Sequence, residues 1–203
     1  ALEQENRRLR RLLNVVEEEG APVASGRLIN ATASSTRRLA TLGVGSLQGV
    51  ERGQPVRSDT GLVGRVLAVG PNTAQILLVS DPENVVPVKR ARDGVVAFSQ
   101  GRSDGRVDIR LINVGVNPFK PGDVMVTSGN GGLYPPNVPV AIVETLTNDG
   151  GIGRILANPA ATNFVIVQNV YKPDIVASGG TVLPLDGSLP DSGAADPQSP
   201  EQP

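Results

Sequence analysis

Val126-Thr127-Ser128-Gly129-Asn130-Gly131-Gly132-Leu133-Tyr134-Pro135 is the stretch on which the reading of this chain turns. It begins as a β-type run and passes into three glycines within four residues. A glycine-rich loop that cradles phosphate needs a helix to start behind it, with its N-terminus facing the anion. Here Pro135 and Pro136 follow at once and Pro139 soon after, so no helix starts. The segment therefore reads as a tight β corner. Gly129, Gly131 and Gly132 supply the positive-φ freedom, and Ser128 serves as a turn hydroxyl.

Outward from that corner, short β-type runs alternate with turn residues from Val23 to about Lys172. The spacing predicts strands at Leu62–Val69, Gln75–Val79, Val85–Lys89, Val95–Phe98, Val124–Val126, Val140–Leu146 and Phe164–Val170. Val107-Asp108-Ile109-Arg110-Leu111 alternates cleanly, with one wet and one buried face. Turns are expected at Gly70-Pro71-Asn72, Ser80-Asp81-Pro82, Asp104-Gly105, Lys120-Pro121-Gly122-Asp123 and Asn148-Asp149-Gly150-Gly151. Many short strands with frequent turns imply barrels or sandwiches. Glycine and proline, 24 and 17 of 203 residues, agree with a turn-rich β protein.

The β region also reads as a duplication. Gly53–Val56, Gly61–Val66 and Ala74–Val79 are echoed by Gly122–Val126, Gly132–Val143 and Asn163–Val167. Gly61 and Gly64 bracket a strand entry where a missing side chain permits close backbone approach. The expected organisation is a helix over 1–20, a first barrel over 21–98, a second over 99–176, and a disordered Pro/Gly/Ser-rich tail over 177–203. Exchange of strands between barrels is left open, and residues 92–106 are the expected crossover. In the helix, Leu2, Leu9 and Val16 recur every seven residues and Leu12 adds a second seam position, as in a dimeric coiled coil. Gly20 and Pro22 end it. The chain opens in mid-pattern without Met, which is the reading expected of a piece of a longer protein.

Composition narrows the chemistry. There is no His and no Cys, which excludes imidazole-based triads, thiol chemistry, disulfides and zinc held by nitrogen or sulfur. Nineteen basic against twenty acidic residues leave no surplus charge for a nucleic-acid backbone. Aromatics are 2% of residues, too few for base-stacking or sugar-binding shelves. Asp104, Asp108, Asp123 and Asp149 lack the alternating spacing of a calcium loop. No catalytic, cofactor or metal residue is assigned.

Gly61-Leu62-Val63-Gly64-Arg65-Val66 and the Val126–Pro135 corner resemble the two signature segments of the MreC family, the bacterial rod-shape-determining proteins. Gln75-Ile76-Leu77-Leu78-Val79-Ser80-Asp81 is similar to the strand after the first signature. Two positions depart from the family pattern: Asn137 and Ala141 stand where glycine is usual. Asn tolerates the left-handed region best after Gly. The resemblance makes Gly61, Gly64, Thr127, Ser128, Gly129, Gly131, Gly132, Tyr134 and Pro135 the fold-determining positions.

The resemblance further implies a single-pass inner-membrane protein, anchored through a segment missing from the start of this sequence, with this region in the periplasm. It implies two six-stranded β barrels like those of chymotrypsin-like proteases without their catalytic residues. It implies a non-enzymatic scaffold of the cell-elongation machinery that binds the class B penicillin-binding transpeptidase, works with MreD, RodZ and MreB, dimerises and forms filaments. Exposed sheet edges would then permit self-assembly by strand addition. A periplasmic adaptor of an export or efflux assembly is the alternative. It too joins coiled-coil helices to small barrels, but with a helical hairpin inserted between β segments. A degenerate hydrolase acting through Ser128 is a third reading.

Overall fold

A computed structural model describes residues 6, 22–33, 37–102, 104–112 and 116–172. The expected N-terminal helix with Leu2, Leu9, Leu12 and Val16, and the tail over 177–203, lie outside the described residues. The strands are β1 (Ala24–Ala33), β2 (Arg38–Leu42), β3 (Pro55–Arg57), β4 (Leu62–Val69), β5 (Ala74–Leu78), β6 (Val85–Arg90), β7 (Val96–Gly101), β8 (Val107–Leu111), β9 (Val124–Thr127), β10 (Pro139–Thr147), β11 (Gly150–Ile155) and β12 (Phe164–Val167). They close into two six-stranded barrels, ordered β1-β12-β3-β4-β5-β2 and β10-β11-β8-β7-β6-β9, with every pair antiparallel.

Alternation along each strand fills the two interiors. In β8, Val107 and Ile109 are buried while Asp108 and Arg110 face outward. Leu42, Val56, Val66, Ile76, Val165 and Val167 fill the first barrel. Val86, Val88, Ile109, Met125, Tyr134 and Val140 fill the second. Register shifts at Leu28/Asn30, Val66/Ala68 and Val143/Thr145 mark bulges, which add the local twist that a small closed barrel needs.

The ring order reveals how the duplication is built. Strands β1–β5 neighbour one another as β7–β11 do, and the remaining place in each ring lies between the first and third strand of the set. That place is taken by β12 in the first barrel and by β6 in the second. Read as tandem six-strand repeats, the chain exchanges its sixth strands reciprocally. The echo between β3–β4 and β9–β10 matches this equivalence. The third echo does not, because β5 corresponds to β11 and not to Asn163–Val167.

Other expectations are corrected. The 98/99 boundary falls inside β7, a strand of the second barrel. The chain crosses between barrels at residues 79–84 and again at 156–163, whereas 92–106 hold the β6–β7 turn, β7 and the next turn. Gly150-Gly151 open a strand instead of a turn, because a Cβ at Gly150 would stand 1.9 Å from the Ile109 carbonyl oxygen. Strands β1 and β2 carried no clear pattern and were not expected. Closure gives each strand two neighbours, so strand addition at a free sheet edge is not the general feature expected.

Candidate interaction surface and inter-barrel seam

The corner after β9 is held by one threonine. The Thr127 backbone N–H donates to the Val138 carbonyl at 2.8 Å, and its carbonyl accepts from Asn137 N–H at 2.9 Å. Its hydroxyl accepts from Val138 N–H at 2.9 Å and donates to the Pro135 carbonyl. Gly129, Gly131 and Gly132 adopt φ of 81°, 83° and 63°, the region a side chain disfavours. Ser128 donates its N–H to Pro87 and accepts from Asn130 N–H at Oγ, 3.2 Å away. Its hydroxyl thus closes a local turn.

Both glycine-bearing segments converge where the barrels meet. Gly61 lies against Pro139, and an added Cβ would come within 2.3 Å of the Pro139 carbonyl oxygen. At the next two positions Leu62 enters the second barrel's core and Val63 the first's, so the start of β4 is walled by a core on each side. Gly64 packs so tightly on β5 that a Cβ would sit 2.1 Å from the Leu77 carbonyl oxygen. Tyr134, 2% exposed, donates its hydroxyl to Asn84 Oδ1 at 3.2 Å. Asn84 in turn donates to the Leu77 and Leu78 carbonyls at 3.1 Å each. Burial pushes the Tyr134 phenol up to about 12, with Arg65 and the Asn84 bond pulling the other way. Asp81 ties the crossing to the first barrel by accepting from Arg38 N–H at 2.6 Å.

The strongest electrostatic feature is a buried ion pair in the second barrel. Arg90 Nη1 meets Asp123 Oδ2 at 2.9 Å, with side chains only 4% and 8% exposed. Arg90 also forks onto Asp93 at 2.8 and 2.6 Å and stacks 5.4 Å from the Phe119 ring centroid. Desolvation pulls the Asp123 carboxyl upward. The Arg90 hydrogen bond, the Lys120 N–H and the nearby guanidinium charges outweigh it, so the carboxyl titrates below its ordinary range. The contacts run from strand to turn within the same barrel, which makes the pair a brace for the Lys120–Asp123 turn.

The outer face of β6, β7 and β8 is different in kind. Cross-strand register places Lys89 beside Val96 and sets Pro87, Phe98 and Arg110 in one row. Phe98, Ile112 and Val85 are 42%, 46% and 48% exposed. With Gly131 and Asn130 of the corner, Pro87, Val96, Phe98 and Ile112 line a groove of about 220 Å³. A wider depression of about 690 Å³ opens on the first barrel between Arg27–Asn30 and Pro159–Asn163. It lies away from both signature segments. Among the described residues no cluster of three or more acidic side chains is arranged to hold a metal ion.

A family model described as "Rod shape-determining protein MreC, barrel core" matches residues 28–171, more than two thirds of the chain. This chain belongs to the MreC family. The cell shape-determining protein MreC of Escherichia coli is 36% identical over 149 residues, covering 72% of this chain and 40% of that protein. The Haemophilus influenzae relative is 32% identical over 151 residues, covering 73% of this chain and 42% of its own length. The chain therefore spans less than half the length of these relatives. A solved MreC structure aligns with a TM-score of 0.72 at 29% identity, over 83% of this chain and 99% of that one.

The MreC signature positions can now be placed. Gly61 and Tyr134 lie at the seam, Gly64 packs on β5 within the first barrel, and Thr127 ties the corner to Pro135 within the second. Asn137 takes φ 66° and is the only non-glycine with positive φ among the described residues. Ala141 is fully buried in the second core, and its methyl is accommodated by Gly153, whose own Cβ would lie 3.3 Å away. Sequence reasoning missed Asn84, an isolated amide in a turn with no motif around it. It also missed the Phe98 face, which exists only once three strands are in register.

Proposed function

We propose that this chain is the periplasmic, non-enzymatic scaffold portion of a cell-elongation assembly, binding and regulating the class B penicillin-binding transpeptidase. The observation that carries the reading is the match of an MreC barrel core over residues 28–171, which form two closed six-stranded barrels. Ser128 supports it, since its hydroxyl accepts a local bond from Asn130 N–H. In this reading a segment upstream of Ala1 anchors the protein in the inner membrane. Leu2, Leu9, Leu12 and Val16 pair two copies, and MreD, RodZ and MreB complete the assembly. The barrels, chymotrypsin-like in plan but without catalytic residues, present surfaces to partners. The adaptor alternative is not favoured, because no α-helix interrupts β1 to β12 among the described residues.

The test is a pull-down of the transpeptidase ectodomain from the same bacterium by the immobilised 203-residue chain. Specific, saturable capture is the expected result, and failure to capture it overturns the partner assignment. For the dimer, Leu9→Asp with Leu12→Asp in the full-length protein is expected to lower the mass seen by sedimentation. An unchanged mass overturns the seam.

A further inference from the structure

We propose that the groove on the outer face of β6, β7 and β8 takes an apolar segment of a partner protein flanked by carboxylates. This deepens the scaffold reading and rests on it. The outward positions form a small grid set by the strand register. Lys89 and Val96 share one row, Pro87, Phe98 and Arg110 the next, and Ile112, just past β8, lines the same groove. The centre is apolar and open to solvent, with Phe98 and Ile112 both about half exposed. The two cations stand at opposite corners. Neither Lys89 nor Arg110 has an ion-pair partner among the described residues. The neighbouring carboxylate on this face, Asp108, is already paired with Arg102 at 2.8 Å. The face thus carries unneutralised positive charge around an apolar floor.

That pattern selects its occupant. Scattered exposed apolar residues need no partner, but a contiguous patch bordered by one sign of charge marks an interaction site. Lys89 and Arg110 lie two strands apart and two residues along, about 12 Å between Cα atoms. An extended segment with carboxylates three to four residues apart would reach both, since a strand rises about 3.3 Å per residue. Its intervening side chain would lie over Val96 and Phe98. Gly131 keeps the corner end of the groove low, with open space out to Pro87, 4.0 Å from where its Cβ would be. Buried aromatic anchors and desolvated cations are the contacts that dominate binding energy, whereas the rim charges govern association rate and salt dependence.

The experiment measures binding of the transpeptidase ectodomain to the 203-residue chain by biolayer interferometry at two salt concentrations. Four single variants are compared with the parent: Phe98→Asp, Lys89→Glu, Arg110→Glu, and Ile29→Asp as an exposed apolar control on the first barrel. Thermal melting verifies that each is folded, which these outward positions permit. Phe98→Asp is expected to weaken binding at least tenfold. Lys89→Glu and Arg110→Glu are expected to weaken it severalfold at low salt, with a shallower salt dependence, and Ile29→Asp to leave it unchanged. If the parent binds and the three groove variants bind equally well, the groove is overturned while the scaffold reading stands. If the parent does not bind, the partner reading falls and the groove with it. If Phe98→Asp changes only the sedimentation mass, the occupant is a second copy of this chain and the proposal is overturned.

Discussion

The two barrels share a ring order and differ in what surrounds it. The second is contiguous, from Val85 to Ile155, whereas the first recruits β12 from beyond it. The second also borrows Leu62 and Val79 from the first barrel's segments for its core. The first exposes Ile29 and Leu47 singly, while the second gathers Val85, Phe98 and Ile112 on one face. One closed sheet thus keeps these apolar side chains apart and the other gathers them on a single face. The dependence runs one way: the first ring closes only with β12, from chain that has already passed through the second, whereas β6 to β11 close the second by themselves.

Truncation after Asn163 is the sharpest way to break that relation. It removes Val165, Ile166 and Val167, each at most 4% exposed. Burial of such side chains is worth about 1.5–3 kcal/mol each, on the order of half of a domain's stability in total. The first barrel is expected to open and the second to persist. Hydrogen exchange would show protection lost across β1–β5 and retained across β7–β11. Equal loss in both would mean that the barrels fold as one cooperative body.

Gly64→Ala comes next. With the Cβ 2.1 Å from the Leu77 carbonyl oxygen, β4 must move off β5. The obstacle is backbone, which cannot rotate away as a side chain would. A loss on the order of 3–5 kcal/mol is expected, in the range of severe overpacking and broken pairing, measured by urea unfolding.

Asp123→Ala tests the second barrel alone. It leaves Arg90 buried with only Asp93 and the Pro118 carbonyl. The Asp93 fork still compensates the guanidinium, so the cost is that of a lost hydrogen bond between charged groups, about 1.5–3 kcal/mol. The pH dependence has a definite sign. The folded carboxyl titrates below its ordinary value, so its contribution is present above about pH 3.9, the unfolded value. It is lost as pH falls through the lower folded value. The parent is expected to lose stability below pH 4, and the variant to show a flatter acid limb.

These contrasts also explain what could be read without coordinates. Val107–Leu111 and Leu62–Val69 were legible because alternation and apolar runs are local. The β corner was legible because Pro135 and Pro136 forbid a helix wherever they stand. Gly150-Gly151-Ile152-Gly153 was not legible. Gly150 and Gly153 answer the approach of Ile109 on neighbouring β8 and Gly151 that of Thr145 on β10, and local propensity sees only a turn. The exchange of β6 and β12 was likewise hidden, since Phe164–Val167 would suit either ring. Phe98 looked like one outward side chain in one strand. Its role appears only when register sets Pro87 and Arg110 on either side.

Tyr134→Phe probes the link between the barrels most gently. It removes one hydroxyl, leaving Asn84 Oδ1 without that donor while Asn84 still bonds Leu77 and Leu78. A cost of about 1 kcal/mol is expected, the net value of a typical hydrogen bond. A second signature separates this from simple repacking. Burial holds the phenol protonated up to about 12, against an ordinary value of 10.0. The folded protein therefore keeps a proton that the unfolded chain releases. The residue's contribution is complete below pH 10 and fades as pH rises toward 12. The parent should lose stability across that window by more than the variant does, read from urea midpoints at successive pH values. Identical alkaline limbs would show that the hydroxyl is not held in the seam.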